Sequence, residues 1–153
     1  MRRLAVLLAT GLGVGYIPLA PASWASLATI LCLFPFLPRF DPWILGGVIV
    51  AIVAVGVWAA GEAEHVLGRD ARPIVIDEIA GMLLAVWGVP LGRNPIGTLA
   101  LAFALFRLLD VWKPAPIRGT QQLPGGWGVM IDDILAAAAT NLLLRAAAAF
   151  LLR

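Results

Sequence analysis

From Trp43 to Ala60 the chain carries no charged residue, and Asp41-Pro42 and Glu62 bound the run. A helix needs roughly 20 apolar residues to cross the hydrocarbon of a bilayer, so this stretch with its flanks reads as a transmembrane helix. The rest of the chain is of the same kind. Of its 153 residues 61% are hydrophobic and 13% charged, and the mean hydropathy is +0.95. A soluble domain carries about half and about a quarter, so this chain has more apolar surface than a core of its size can bury. The expected fold class is all-α: a polytopic helical membrane protein, a single domain over residues 1–153.

Four further apolar runs complete the expected topology. Residues 23–38 form one, ending among Pro35 and Pro38, while residues 11–21, rich in Gly and Pro, read as a loop or re-entrant turn. Residues 79–92 and 95–106 are shorter runs separated by Arg93-Asn94, the turn of a helical hairpin. Residues 134–152 are rich in Ala and Leu and helical by propensity, with Arg145 inside the run. Five membrane-embedded helices result. Met1-Arg2-Arg3 before an apolar stretch imitates a signal peptide, but no h-region end follows, so the segment reads as retained.

Charge sets the orientation. With Arg2 and Arg3 cytoplasmic, five spans place residues 61–78 and 107–132 on the same side, which adds Arg69, Arg72, Arg107, Lys113 and Arg118 to that face. Arg39, Arg93 and Arg153 lie opposite. All the carboxylates except Asp41 gather on the cytoplasmic side. The formal charge of +2 and pI of 9.3 do not describe a nucleic-acid binder, because the basic residues are scattered among apolar runs. Cys32 is the sole cysteine, which excludes an intrachain disulfide framework and a cysteine zinc cluster.

The acids stand where helices should enter the membrane: Asp77-Glu78 before Ile79, Asp110 after Leu109, Asp132-Asp133 before Ile134. A carboxylate at that depth is costly unless paired, solvated or bound to a cation, so their convergence points to a hard divalent metal, best Mg²⁺. Helix capping by Asp77 and Asp132 is the plainer alternative, and it leaves Glu78 and Asp133 unexplained. Arg107 lies three residues before Asp110 on one helical face, and Lys113 and Arg118 follow. A guanidinium fork and an ammonium can clamp a phosphate, with Pro114 and Pro116 holding the connection extended. The alternative is positive-inside flanking with lipid headgroup contact.

Stepping by four along the last helix meets Ala137 and Asn141 from Asp133, and Ala136 and Thr140 from Asp132. This small stripe should pack closely on the other acid-bearing helices, with Thr140 and Asn141 serving packing alone. Gly11, Gly13 and Gly15 lack the strand and Lys-Ser of a phosphate loop. Gly125, Gly126 and Gly128 could approach phosphate or simply turn the chain, and the lone His65 reads as a solvated or interfacial side chain.

Three blocks resemble the phosphatidylglycerophosphatase A family of bacterial membrane phosphatases: PLAPASWAS (18–26), the run from Asp70 through IVIDEIAG (74–81), and FRLLDVWKPAPIR (106–118) continuing to GGWGVMIDD (125–133). The resemblance implies an Mg²⁺-dependent enzyme that removes the terminal phosphate of phosphatidylglycerophosphate. It carries over Asp77, Glu78, Gly81, Arg107, Asp110, Lys113, Pro114, Pro116, Arg118, Asp132 and Asp133, and adds Ser26 as a substrate contact. Ala22, Ala25 and Ala137 stand where the family usually has Gly. Should those glycines need positive φ, alanine is disfavoured there and the loop is built differently.

The expected mechanism is metal-assisted phosphomonoester hydrolysis. Asp77, Glu78, Asp132 and Asp133 hold one or two Mg²⁺, Arg107, Lys113 and Arg118 bind the phosphate, and Asp110 orients Arg107 or activates water. Water attack and a phospho-aspartate route use the same groups. The expected partners are a phospholipid substrate and the bilayer of the bacterial inner membrane, with the site facing the cytoplasm and the oligomeric state open. The rivals are a small divalent-cation transporter, which needs acids at several depths, and a non-catalytic or differently specific lipid-binding relative.

Overall fold

The computed structural model describes residues 1–37 and 39–151; the expected span ends at Pro38 and Leu152, and Arg153, expected on the opposite face, lie outside them. The described residues form seven helices and no strand: α1 (Arg2–Ala9), α2 (Pro21–Leu33), α3 (Pro42–Leu67), α4 (Ile76–Val86), α5 (Pro95–Trp112), α6 (Ala115–Thr120) and α7 (Gly126–Leu151). A short 3-10 turn, Val14–Tyr16, lies in the Gly-rich stretch expected to be a loop.

Local chemistry explains the boundaries. Asp41 accepts a hydrogen bond from the Trp43 amide at 2.7 Å and Pro42 opens α3, whose end is Gly68 at φ 98°. Asn94 does the same for α5 through the Gly97 amide at 3.0 Å, with Pro95 as first residue. At the far end of α5, Lys113 turns left-handed at φ 42° and Pro114 cannot continue the helix. The connection after it is helical, α6, and not the extended segment expected from Pro114 and Pro116. Pro fits the first turn of a helix, where its missing N–H costs nothing.

α3, α5 and α7 are long and apolar enough to cross a membrane. α2 and α4, with 13 and 11 residues, rise about 20 and 16 Å against a hydrocarbon core of about 30 Å. The runs at 23–38 and 79–92 thus become short embedded helices packed on the long ones. Residues 2–9, left without a structure by sequence reasoning, form α1, whose Ala5 and Ala9 pack on Ala59, Ala60 and Ala63 of α3. Arg2 reaches Glu62 at 3.8 Å, so the N-terminus lies beside the 61–78 region as the charge count requires.

The core is the packing of α4 against α7, α5 and α3. Two glycines set its closeness. A Cβ at Gly81 would stand 2.6 Å from the Phe106 ring and 3.4 Å from the Asp133 carbonyl, so α4, α5 and α7 meet one turn from the acids. A Cβ at Gly126 would collide with the Val57 carbonyl, which lets α7 cross α3 near Gly61. Gly126 therefore serves helix crossing. Ala136, Ala137 and Thr140 are fully buried, as the small stripe predicts.

Candidate active site

Four helices deliver the polar groups to one end of the bundle. Asp77 and Glu78 occupy the first turn of α4, where the helix dipole favours an anion. They do not cap: the N-cap residue is Val75, and Asp77 Oδ1 accepts from the Glu78 amide at 3.0 Å. Asp132 and Asp133 sit inside α7, beyond its first turn, so the capping alternative fails for Asp132 too. Asp132 Oδ1 accepts from the Asp133 amide at 3.1 Å. Arg107 and Asp110 come from the end of α5, and Lys113 from its left-handed cap.

These groups form one knot. Arg107 Nη1 donates to Glu78 Oε1 at 2.5 Å and lies 2.8 Å from Asp110 Oδ2, the pair expected from their spacing. Lys113 Nζ lies 3.2 Å from Asp110 Oδ1 and also pairs with Asp132. Burial pulls the Lys113 ammonium down, but its hydrogen bond to Asp132 and the charges of Asp110, Asp132 and Asp133 outweigh this and hold it above its ordinary range. Ser26, fully buried on α2, is 3.0 Å from Glu78 Oε2 and 3.1 Å from the Ala22 carbonyl. A hydroxyl has one proton, and the carboxylate is the stronger acceptor.

Carboxylate oxygens of Glu78, Asp110 and Asp133 lie within 4.8 Å of one another, all three residues buried. Asp77 and Asp132 flank this trio; Asp132 is engaged by Lys113 and by Gln121 Nε2 at 3.2 Å. The closest set thus includes Asp110, expected only to orient Arg107 or activate water, and two of the four expected ligands. Among the described residues five acids face two cations, and Asp133 Oδ2 is buried without a hydrogen-bond partner. An all-oxygen set with surplus negative charge and an open buried acceptor fits a hard divalent cation such as Mg²⁺.

Other expected residues fall elsewhere. Arg118 is exposed on α6, outside the knot. His65 is exposed and lines a separate cavity of about 740 Å³ with Glu62, Glu64 and Arg69. Ala22 and Ala25 lie in the α2 helix and Ala137 in α7, so none of the three needs positive φ and the segment from Pro21 is not a loop. Gln121 was missed; its only signal was a polar pair, Gln121-Gln122, just before α7. Thr140 serves packing, with its hydroxyl on the Ala136 carbonyl. Asn141 does more, since it bonds three carbonyls at the end of α4.

Buried carboxylates backed by a guanidinium and an ammonium, at one end of a bundle whose long helices can cross a membrane, are chemically suited to holding a phosphate. The model of the Phosphatidylglycerophosphatase A family matches residues 7–148, and the chain belongs to that family: it is a phosphatase acting on a phosphate monoester. Phosphatidylglycerophosphatase A of Escherichia coli is 39% identical over 85% of this chain and 75% of its own length. The Haemophilus influenzae protein of the same name is 35% identical over 86% and 80%. A Bacteroides thetaiotaomicron protein with the provisional name phosphatidylinositol-3-phosphatase is 35% identical over 94% and 93%. No solved structure matches the chain.

Proposed function

We propose that this protein hydrolyses the terminal phosphate of phosphatidylglycerophosphate, giving phosphatidylglycerol and inorganic phosphate, with Mg²⁺ as cofactor. The observation that carries the reading is the trio of Glu78, Asp110 and Asp133 oxygens beside Arg107 and Lys113. The names of the Escherichia coli and Haemophilus influenzae relatives support the substrate. Glu78, Asp110 and Asp133 would hold the ion, with Asp77 and Asp132 beside them. When bound, Mg²⁺ supplies Lewis acidity toward a phosphoryl oxygen and offsets the surplus negative charge.

The chain's own residues do the rest by positioning and electrostatics, which dominate phosphoryl transfer. Asp110 forms ion pairs with both Arg107 and Lys113, so it orients the two cations toward the phosphate. Hydrolysis breaks the bond between phosphorus and the glycerol oxygen; water supplies the new phosphate oxygen, and a proton passes to the leaving hydroxyl. Asp77 is half-buried where the other four acids are buried, and it takes the proton of the attacking water. Arg118, exposed nearby in sequence, contacts the headgroup rather than the transferring phosphoryl group. The charge bias, together with the Arg2–Glu62 pair, supports a site on the cytoplasmic face of the bacterial inner membrane. The gathering of the acids at one end, not at several depths, weighs against a cation path.

A second reading is favoured by the Bacteroides relative: phosphatidylinositol 3-phosphate as substrate. Purified protein given either lipid, with Mg²⁺ or with a chelator, decides. Metal-dependent phosphate release from phosphatidylglycerophosphate is expected; release only from the inositol lipid replaces the substrate, and no release from either returns the chain to a lipid-binding role.

A further inference from the structure

A groove of about 430 Å³ runs between α2 and α4 on the flank of the bundle. Ala25, Thr29 and Cys32 of α2 form one wall and Ile79 and Leu83 of α4 the other. Along α2 from Ala25 to Leu33 the helix rises about 12 Å. Phe36 and Phe40 close the far end, edge to face with ring centroids 6.3 Å apart. No charged residue lines the groove, and Thr29 donates its hydroxyl to the Ala25 carbonyl at 2.8 Å, so no polar hydrogen is left facing in from that side chain.

The near end of the groove is what gives it meaning. Ala25 precedes Ser26 and Ile79 follows Glu78, and Ser26 and Glu78 are hydrogen-bonded to each other at 3.0 Å. The groove therefore starts beside the acid trio and leads away from it along a helix that lacks any charge. A ligand occupying both would be anionic at one end and hydrocarbon over the rest of its length. We propose that the groove seats one acyl chain of the phospholipid whose phosphate is bound by the Glu78, Asp110 and Asp133 site, and so sets acyl-chain selectivity. This rests on the lipid-phosphatase reading above. An acyl chain that leaves the bilayer for the groove gains through packing and shape, not through the hydrophobic effect, because lipid is as apolar as the groove.

Ala28 lines the groove, is half-buried and is none of the site residues named above, so Ala28→Phe fills the groove while every residue of the knot is kept. In detergent micelles at fixed lipid fraction, kcat/KM on dipalmitoyl phosphatidylglycerophosphate should fall about tenfold, chiefly through KM, with less than about a twofold change on the dihexanoyl lipid. Val50→Phe, on the exposed face of α3, should change neither. Cys32 is the sole cysteine and is exposed, so alkylating wild-type protein with a bulky maleimide fills the same groove in a chain already folded. It should give the same selective loss. Equal loss on both lipids, or loss on neither, overturns the groove while leaving the phosphatase intact. No phosphate release from either lipid by unmodified protein overturns the phosphatase reading, and this inference with it.

Discussion

At one end of the α4 and α7 pair, five carboxylates gather around two cations that pair with only Glu78, Asp110 and Asp132, and among the described residues an oxygen of Asp133 has no hydrogen-bond partner. At the other end, Asn141 of α7 spreads its amide protons over the carbonyls of Leu84, Ala85 and Trp87 at 3.0, 3.2 and 2.8 Å. Arg145 donates to Asn141 Oδ1 at 2.7 Å and to the Trp87 carbonyl at 2.8 Å. The Trp87 indole in turn donates to the Pro42 carbonyl at 2.7 Å, which ties the end of α4 to the start of α3. The second end solves a structural problem: α4 stops after 11 residues, and its last carbonyls need donors from outside the helix. A cation there also suits the negative end of the helix dipole. Polar groups that saturate one another stabilise a fold. Acids left with surplus charge do not, which is the pattern expected of groups kept for chemistry.

The sharpest way to break this contrast is Asp133→Asn. An amide keeps the shape and removes the charge from the open acceptor, so turnover should fall on the order of a thousandfold while the protein stays folded. Phosphate release and thermal unfolding in detergent read the two quantities. A variant that unfolds, or one that turns over normally, would make the acid end structural after all.

Arg107→Lys comes next. Its guanidinium meets both Glu78 and Asp110, which an ammonium cannot reproduce in the same geometry. The rate should drop about a hundredfold with little change in KM. A rise confined to KM would reduce Arg107 to a binding contact.

Asn141→Ala tests the opposite end. The carbonyls of Leu84, Ala85 and Trp87 and the Arg145 guanidinium lose a partner, so stability should fall by about 2 kcal/mol, read as a lower unfolding midpoint. Turnover of the folded fraction at low temperature should stay near wild type. A loss of turnover with unchanged stability would couple the two ends and dissolve the comparison.

The smallest effect is expected of Gln121→Ala. Gln121 gives Asp132 a hydrogen bond at 3.2 Å, but Lys113 holds the same carboxylate, so a loss of about fivefold in kcat is expected. Gln121→Glu should do worse, because it adds a sixth acid beside Asp132. Activity equal to wild type in both would place Gln121 outside the site.

Composition and the run from Trp43 to Ala60 were enough to put this chain in a bilayer, since burying so much apolar surface in water-soluble form is impossible at this length. The acids, Arg107 and Lys113 were also legible, because a charge beside a membrane helix is costly and so stands out in any reading of the chain. Periodicity likewise paired Arg107 with Asp110 and aligned the small face of α7. Other features depended on packing between elements far apart in sequence. Span length misled at 79–92, where hydropathy cannot see that α4 ends at Val86 because Asn141 and Arg145 are there to receive it. Hydropathy also passed over α1, too short to be a span, and Gln121, an ordinary polar residue until α6 brings it to Asp132. Which three acids converge was a matter of tertiary structure alone: Gly81 lets α4 approach α5 and α7 at one turn's distance, and that approach joins Glu78 to Asp110 and Asp133 while Lys113 draws Asp132 aside. A local pattern fixes what a residue can do and which side of its own helix it occupies. Its partners depend on the distances between helices, and those are set by side-chain volume at crossings that lie dozens of residues apart.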